Sequence, residues 1–388
     1  MAENLTIGYP EAVIMITSPA VPDRAAAALP PGGAPLSLIT AEGNAGDANG
    51  ILAMPPEEVL RELLRQMIVG RRFDAQATAL TKQGRLAVYP SSRGQEACQV
   101  GAVLALREQD WLFPTYRDTV AVITRSVAAP EALSLLLGEW HCGYDPYEHK
   151  VAPQCTPLAT NTLHAVGLAY AARVKRVDQV ALVLLGDGAT SEGDTHEALN
   201  FAAVWHAPAV FLVQNNGYAI SVPLAKQTAA PALAYKGVGY GMRSLLIDGN
   251  DAAAVHAAVS SAVTHAAAGR GPTLIEALTY RIEAHTNADD AARYRDTAEV
   301  EAWLARDPLR RLENYLRDRG LVDDADVARF GTEAEQLAAD VRAAMNRDMT
   351  ADPSDLFAHV YAEPTPALAA QREFLLAELA GDQDRSLT

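Results

Sequence analysis

The sequence predicts an α/β fold, a doubly wound parallel sheet with helices on both faces. Three observations predict it. Val180–Leu185 (VALVLL) is uniformly apolar, as a strand covered on both sides should be. Ala209–Gln214 (AVFLVQ) has the same character, and a helical pattern from Ser191 to Trp205 separates the two. Leu245–Asp248 and Thr273–Leu278 flank a further Ala-rich helical stretch over Asp251–Ala268. Strand–helix–strand repetition of this kind builds a parallel sheet with right-handed crossovers.

Ahead of that core, residues 1–54 are rich in Ala, Pro and Gly, with PPGGAP at 30–35, and predict an extended arm. Pro55 and Pro56 suit the entry to a helix, in which Leu60, Leu63, Leu64, Met67 and Ile68 recur at helical spacing and which Gly84 should stop. Ser92 to Gln95 (SRGQ) resembles a capping box opening the next helix. From Glu299 onward the pattern is helical and charged. The organisation expected is an arm over 1–54, a sheet domain over 55–345 and a helical tail over 346–388.

Composition limits the partners. The net charge of −16 argues against DNA or RNA as the main partner, because phosphate backbones need a basic face. No apolar run reaches the roughly 18 residues of a membrane span. The start MAENLTIGYPEAV lacks a basic segment before an apolar one, so no secretion signal is expected. Cys98, Cys142 and Cys155 form no CxxC pair, which fits a reducing, cytoplasmic setting.

The chemistry concentrates between Gly186 and Asn216. Gly186-Asp187-Gly188 follows one buried strand, and Asn215-Asn216-Gly217-Tyr218 follows the next. Both clusters therefore lie at the carboxyl ends of neighbouring parallel strands, where open α/β sheets bind ligands. Glycines allow close backbone approach, and the helix start beyond them presents free N–H groups that suit a diphosphate. Asp187 and Asn216 offer the oxygen ligands magnesium needs. Either cluster alone is an ordinary turn. The pair at this separation argues for a metal-bridged diphosphate, and the absence of GxGxxG after a strand argues against a dinucleotide.

The GDG-to-NN spacing resembles the thiamine-diphosphate fingerprint. With LFPTYRD (112–118), TPLATNTLHAVG (156–167), GDGATSEGDTHEALNFAA (186–203), QNNGYAIS (214–221) and YRIEAHTNADDAARYRD (280–296), the chain resembles alpha subunits of the decarboxylating component of branched-chain 2-oxo acid dehydrogenase complexes. The pyruvate dehydrogenase alpha subunits are closely related. The resemblance covers about residues 55–345 and implies a sheet of the thiamine-diphosphate-binding type. It implies that Asp187, Asn216 and the Tyr218 carbonyl ligate magnesium, and that Gly188, Ala189, Tyr116 and Arg117 hold the diphosphate. Thr156 and Leu158 would lie against the cofactor, with His285 the catalytic group on a loop beside it. Cys155, Pro157, Thr160 and Asn161 match a potassium-binding turn of some members. Two positions depart from the pattern: Thr115 stands where branched-chain relatives carry an amide, and Gln214, beside the phosphates, where some carry arginine.

Arg117 between Pro114 and Asp118 favours phosphate over a surface ion pair. His285 lies in a polar loop, where functional residues concentrate, whereas His256 and His265 sit on an Ala-rich helix. His164 and His196 fit structural positions better, and Thr286 fits an unmodified loop residue. The family's cofactor-activating glutamate belongs to a second domain, and no second strand–helix array follows residue 280. A separate beta subunit in an α2β2 heterotetramer is therefore expected, serving a lipoyl-bearing acyltransferase core. The activity implied is oxidative decarboxylation of a small branched-chain 2-oxo acid. Pyruvate is the alternative substrate, and a non-catalytic scaffold is the alternative of another class.

Overall fold

The computed structural model describes residues 33–48, 50–138, 140–346 and 352–386. Its centre is a five-stranded parallel sheet in the order β1-β2-β3-β7-β6. The strands are β1 Trp111–Phe113, β2 Ala181–Gly186, β3 Ala209–Asn215, β6 Arg243–Asp248 and β7 Thr273–Leu278, and the short β4 Tyr218–Ala219 and β5 Val222–Pro223 form a separate antiparallel pair. The four strands expected from the sequence are present. β1 was not anticipated as a strand: its three residues are too few to show a pattern, and it forms only because Leu112 can pair with Leu182 of β2.

The uniform hydrophobicity of β2 and β3 has a direct structural cause. Leu182, Leu184, Val210 and Leu212 enter the larger core, against the helices Glu57–Lys82, Glu96–Leu104 and Ala252–Ala267. Ala181, Val183, Leu185, Phe211 and Val213 enter a second core, against Thr160–Lys175 and Gly193–Val204. Each large side chain removed from water on either face contributes about 1.5–3 kcal/mol. A charge on either face would therefore end up buried, which keeps every position apolar.

The helix Glu57–Lys82 ends just before Gly84, whose φ of +71° reverses the chain. The expected capping box does not form. Gln95 caps the Glu96–Leu104 helix with no side-chain bond, the Ser92 hydroxyl donates to the Arg117 carbonyl, and the Gln95 amide turns into the site.

Residues 1–32 of the expected arm lie outside the described residues. Its later part packs on the body: Leu36 pairs in parallel with Ile247 of the edge strand, and Leu36, Leu38 and Ile39 are buried. The Asp251 carboxylate accepts from the Leu38 and Ile39 amides at 2.7 Å and caps the following helix through Ala254 N–H. Buried Arg311 donates to the Ile39 carbonyl and to Asp248. Composition hid this strap because its few apolar residues show no period, and the buried charges that fix its backbone, Asp251 and Arg311, are distant in sequence. Beyond Ala344 the chain carries the helix Pro366–Ser386, with Phe374 exposed.

Candidate active site

The sheet brings Asp187 and Asn216 together. Gly186 is in register with Gln214, so the GDG turn and the NN turn leave β2 and β3 side by side at the carboxyl edge. A Cβ on Gly188 would lie 2.7 Å from the Ala219 Cβ, so a glycine there lets β4 pack onto the turn. The two adjacent asparagines divide their work. Asn215 donates to the buried Glu276 of β7 at 2.7 Å and ties strand to strand. The Asn216 oxygen instead accepts from Tyr218 N–H at 3.2 Å, while its amide donates to Gln95 at 3.1 Å.

Asp187 is 1% exposed, and burial holds its carboxyl above the usual carboxylate range. It accepts from Gln227 Nε2 at 2.7 Å and has no ion-pair partner among the described residues. Gln227 Oε1 is buried without a partner. A desolvated carboxylate with amide and carbonyl oxygens around it, one of them unsatisfied, is a donor set suited to a hard cation. The Asn216 oxygen and the Tyr218 carbonyl, the latter 3.4 Å from Arg281 Nη1, belong to the same turn.

A second group of residues approaches from other loops. Arg117 is buried, and its guanidinium donates to the Ser91 carbonyl at 2.9 Å, the His285 carbonyl at 3.0 Å and His285 Nδ1 at 3.0 Å. The Tyr116 ring lies edge-on to the His285 ring at 6.1 Å. Arg281, fully buried, also reaches His285 Nδ1 at 3.4 Å and donates to the Ile220 carbonyl and Tyr294 hydroxyl. Burial, then Arg117 and Arg281, push the His285 pKa down to about 4. The imidazole is therefore neutral near pH 7. Because guanidinium N–H groups face Nδ1, we assign the ring proton to Nε2.

Thr115 and Gln214, the two departures from the family pattern, are turned inward. Thr115 donates through both N–H and hydroxyl to buried Asp118 at 2.7 Å, closing the turn that presents Tyr116 and Arg117. Gln214 donates to Asp118 at 2.7 Å and accepts from Gln95 at 3.0 Å, so both ends of its amide are engaged. Thr156 and Leu158 are exposed, on a segment joined to Tyr116 through the Cys155 carbonyl. Asn161 donates to the Leu184 carbonyl at 2.9 Å and, more weakly, to that of Phe113. His196 bonds Tyr240, and His164 is exposed.

Sequence reasoning missed Gln95, Gln227 and Arg281 as site residues. Arg281 stood within the YRIEAHTN stretch, and its place just after a strand was a usable signal. Gln95 and Gln227 meet the site only through tertiary contacts.

A doubly wound sheet with paired polar turns at its carboxyl edge is the architecture of the thiamine-diphosphate-binding class. The comparisons with known proteins agree. The model of the family described as "Dehydrogenase E1 component" matches residues 64–353. Two similar proteins are "3-methyl-2-oxobutanoate dehydrogenase subunit alpha" from Mycobacterium tuberculosis strains CDC 1551 / Oshkosh and ATCC 25618 / H37Rv. Each is 48% identical over 325 residues, covering 84% of this chain and 89% of the relative. "Pyruvate dehydrogenase E1 component subunit alpha" from Staphylococcus aureus strain Mu50 is 38% identical over 291 residues, 74% of this chain and 78% of the relative. The chain belongs to the dehydrogenase E1 component family, whose members work with thiamine diphosphate.

Proposed function

We propose that the chain is the alpha subunit of a component that oxidatively decarboxylates branched-chain 2-oxo acids and passes the acyl fragment to a lipoyl group on an acyltransferase core. The carrying observation is the buried Asp187, which has no ion-pair partner among the described residues, beside Asn216 at paired strand ends. It also weighs against a scaffold, which has no need of a desolvated carboxylate. The greater identity to the 3-methyl-2-oxobutanoate relatives than to the pyruvate ones favours the branched-chain reading.

In this reading Asp187, Asn216 and the Tyr218 carbonyl hold magnesium. Gly188 and Ala189 hold the diphosphate by backbone groups, with Tyr116 and Arg117 reaching it from the side. Gln214 supports them indirectly, through Asp118. Thr156 and Leu158 would lie against the cofactor near the substrate, and the turn through Cys155, Pro157, Thr160 and Asn161 suits potassium. Bound thiamine diphosphate supplies the nucleophilic carbon and the electron sink for loss of carbon dioxide. His285, neutral with its proton on Nε2, donates a hydrogen bond to an anionic oxygen without first losing a proton to solvent. Burial, with the Arg117 and Arg281 charges, keeps it in that state, and the two guanidiniums would add positive potential for bound anions.

Residues 55–345 form the diphosphate-binding domain in this scheme, with 1–54 as an N-terminal arm and 346–388 as a helical tail. A beta subunit completes an α2β2 heterotetramer and contributes the activating carboxylate. A cytoplasmic setting fits three cysteines that are all free thiols. No helix among the described residues is long and apolar enough to cross a membrane. Steady-state rates of the assembled component with 3-methyl-2-oxobutanoate and with pyruvate test the substrate: the former should have the higher kcat/KM, and a pyruvate preference overturns the choice. Decarboxylation by the purified chain alone would overturn the two-subunit reading.

A further inference from the structure

The opposite end of the sheet carries a cavity of about 430 Å³ with a different chemistry. It lies where the edge strand β6 begins, between the C-terminal half of the Ala252–Ala267 helix and the segment entering the first helix. β6 runs from Arg243 at this cavity to Asp248 at the carboxyl edge, so the two ends are about 16 Å apart at strand rise. β6 is also two strands away from β3. The cavity is separate from the cofactor cleft.

One wall is cationic. Arg243 and Arg270 supply its charge, His256 and His265 line it beside them with burial disfavouring their protonated forms, and no carboxylate lines it among the described residues. Arg61, Arg65, Arg71, Arg72, Arg107 and Arg311 sit within ion-pair distance of an Asp or Glu, while others such as Arg125 and Arg310 donate to backbone carbonyls. Arg243 and Arg270 have no ion-pair partner among the described residues. Arg243 donates to the Ser261 hydroxyl at 3.0 Å, and Arg270 Nε donates to His265 Nδ1 at 3.2 Å. Burial and the neighbouring Arg270 hold the Arg243 pKa below its ordinary value, and burial with both arginines does the same to His265. The wall is therefore self-repelling and lacks a counter-charge. His256 Nδ1 is buried without a partner.

The hydroxyls of Ser260, Ser261 and Thr264 stand beside these cations and can donate to an oxyanion. The segment entering the first helix supplies apolar lining: Ile51, 43% exposed, and Met54, 36% exposed. Exposed apolar side chains in one cavity with paired guanidiniums match a molecule with an anionic head and a hydrocarbon body. Guanidinium forks bind phosphate and carboxylate oxygens by short charge-assisted bonds.

We propose that this cavity is a second ligand site, taking a small organic anion, a phosphate monoester or carboxylate on an apolar body. The proposal does not depend on which 2-oxo acid the enzyme uses.

The test is calorimetric titration of the full-length chain with phenyl phosphate and with hexanoate, with and without thiamine diphosphate and magnesium. At least one probe should bind with a Kd below about 1 mM, unaffected by cofactor, and which one binds tells a phosphate head from a carboxylate head. The Arg243→Gln/Arg270→Gln variant should weaken binding by about tenfold or more, the scale of a lost charged hydrogen bond. Ser260→Glu places a negative charge in the same wall with both arginines kept. It should do the same, and it decides the matter if the double variant misfolds. The proposal is overturned if neither probe binds below about 10 mM. It is also overturned if binding survives Ser260→Glu at full strength, or if cofactor abolishes it and thereby assigns it to the cofactor cleft.

Discussion

The two halves of the active site are held by different forces. Asp187 and Asn216 stand at the ends of β2 and β3, which pair with each other up to Gly186 and Gln214, so ladder hydrogen bonds fix the main chain before any side chain is considered. His285 sits on a stretch without regular structure, and its position depends on side chains: Arg117 and Arg281 on its ring and Asp289, which accepts from its N–H at 2.7 Å. The strand-end half is a fixed grip in which one carboxylate supplies the charge. The loop half is an electrostatic assembly whose protonation state is set by its neighbours. Changes to the first should therefore alter whether the cofactor is held, and changes to the second how the bound site behaves.

The largest effect should come from Asp187→Asn. The substitution keeps the volume and removes the charge that a hard cation needs. Magnesium-dependent thiamine diphosphate affinity, measured calorimetrically on the assembled component, should fall by about 100-fold or more. Thermal stability should hold or rise, because the native carboxylate is desolvated without an ion pair. Unchanged affinity would remove Asp187 from the metal site. Gln95→Leu should have an intermediate effect. Gln95 touches no ligand in our scheme, but it donates to Gln214 and accepts from Asn216, so it orients the Asn216 oxygen. Loss of an orienting partner of this kind weakens a metal site by about 10–100-fold. Two buried amides left unpaired should also cost roughly 1–3 kcal/mol each. A variant that is destabilised yet binds magnesium normally would make Gln95 purely structural.

The same contrast explains what could be read in the sequence. The sheet was legible because burial on both faces leaves only apolar residues, as at Leu182 and Val183, and GDG and NN were legible because they interrupt that pattern at strand ends. Leu36–Ile39 was not, since its attachment is an agreement between Asp251 and Arg311, far away in sequence. Ser92 and Gln95 had the right spacing for a cap, but tertiary partners took both side chains. His285 was legible as a polar residue in a polar loop. Its protonation state was not, because it comes from burial in the folded site and from two arginines, one of them 168 residues away.

The smallest and most specific effect concerns that protonation state. In the folded protein His285 titrates at about 4, against about 6.5 in an unfolded chain. Between those values the unfolded chain binds the proton and the native site does not. Stability should therefore rise with pH through this window, and the penalty should be absent above it. Activity should correspondingly show no limb from His285 between about pH 5 and 8. Arg117→Gln removes the second of the causes that lower the pKa while burial, the first, remains. The His285 pKa should then move up but stay below its ordinary value. Histidine-selective nitrogen labelling and NMR titration of both proteins would follow the ring directly. A wild-type ring that titrates near 6.5, or an unchanged value in Arg117→Gln, would show that the arginine does not set the protonation of His285. The loop half of the site would then be held by packing, as the strand ends are.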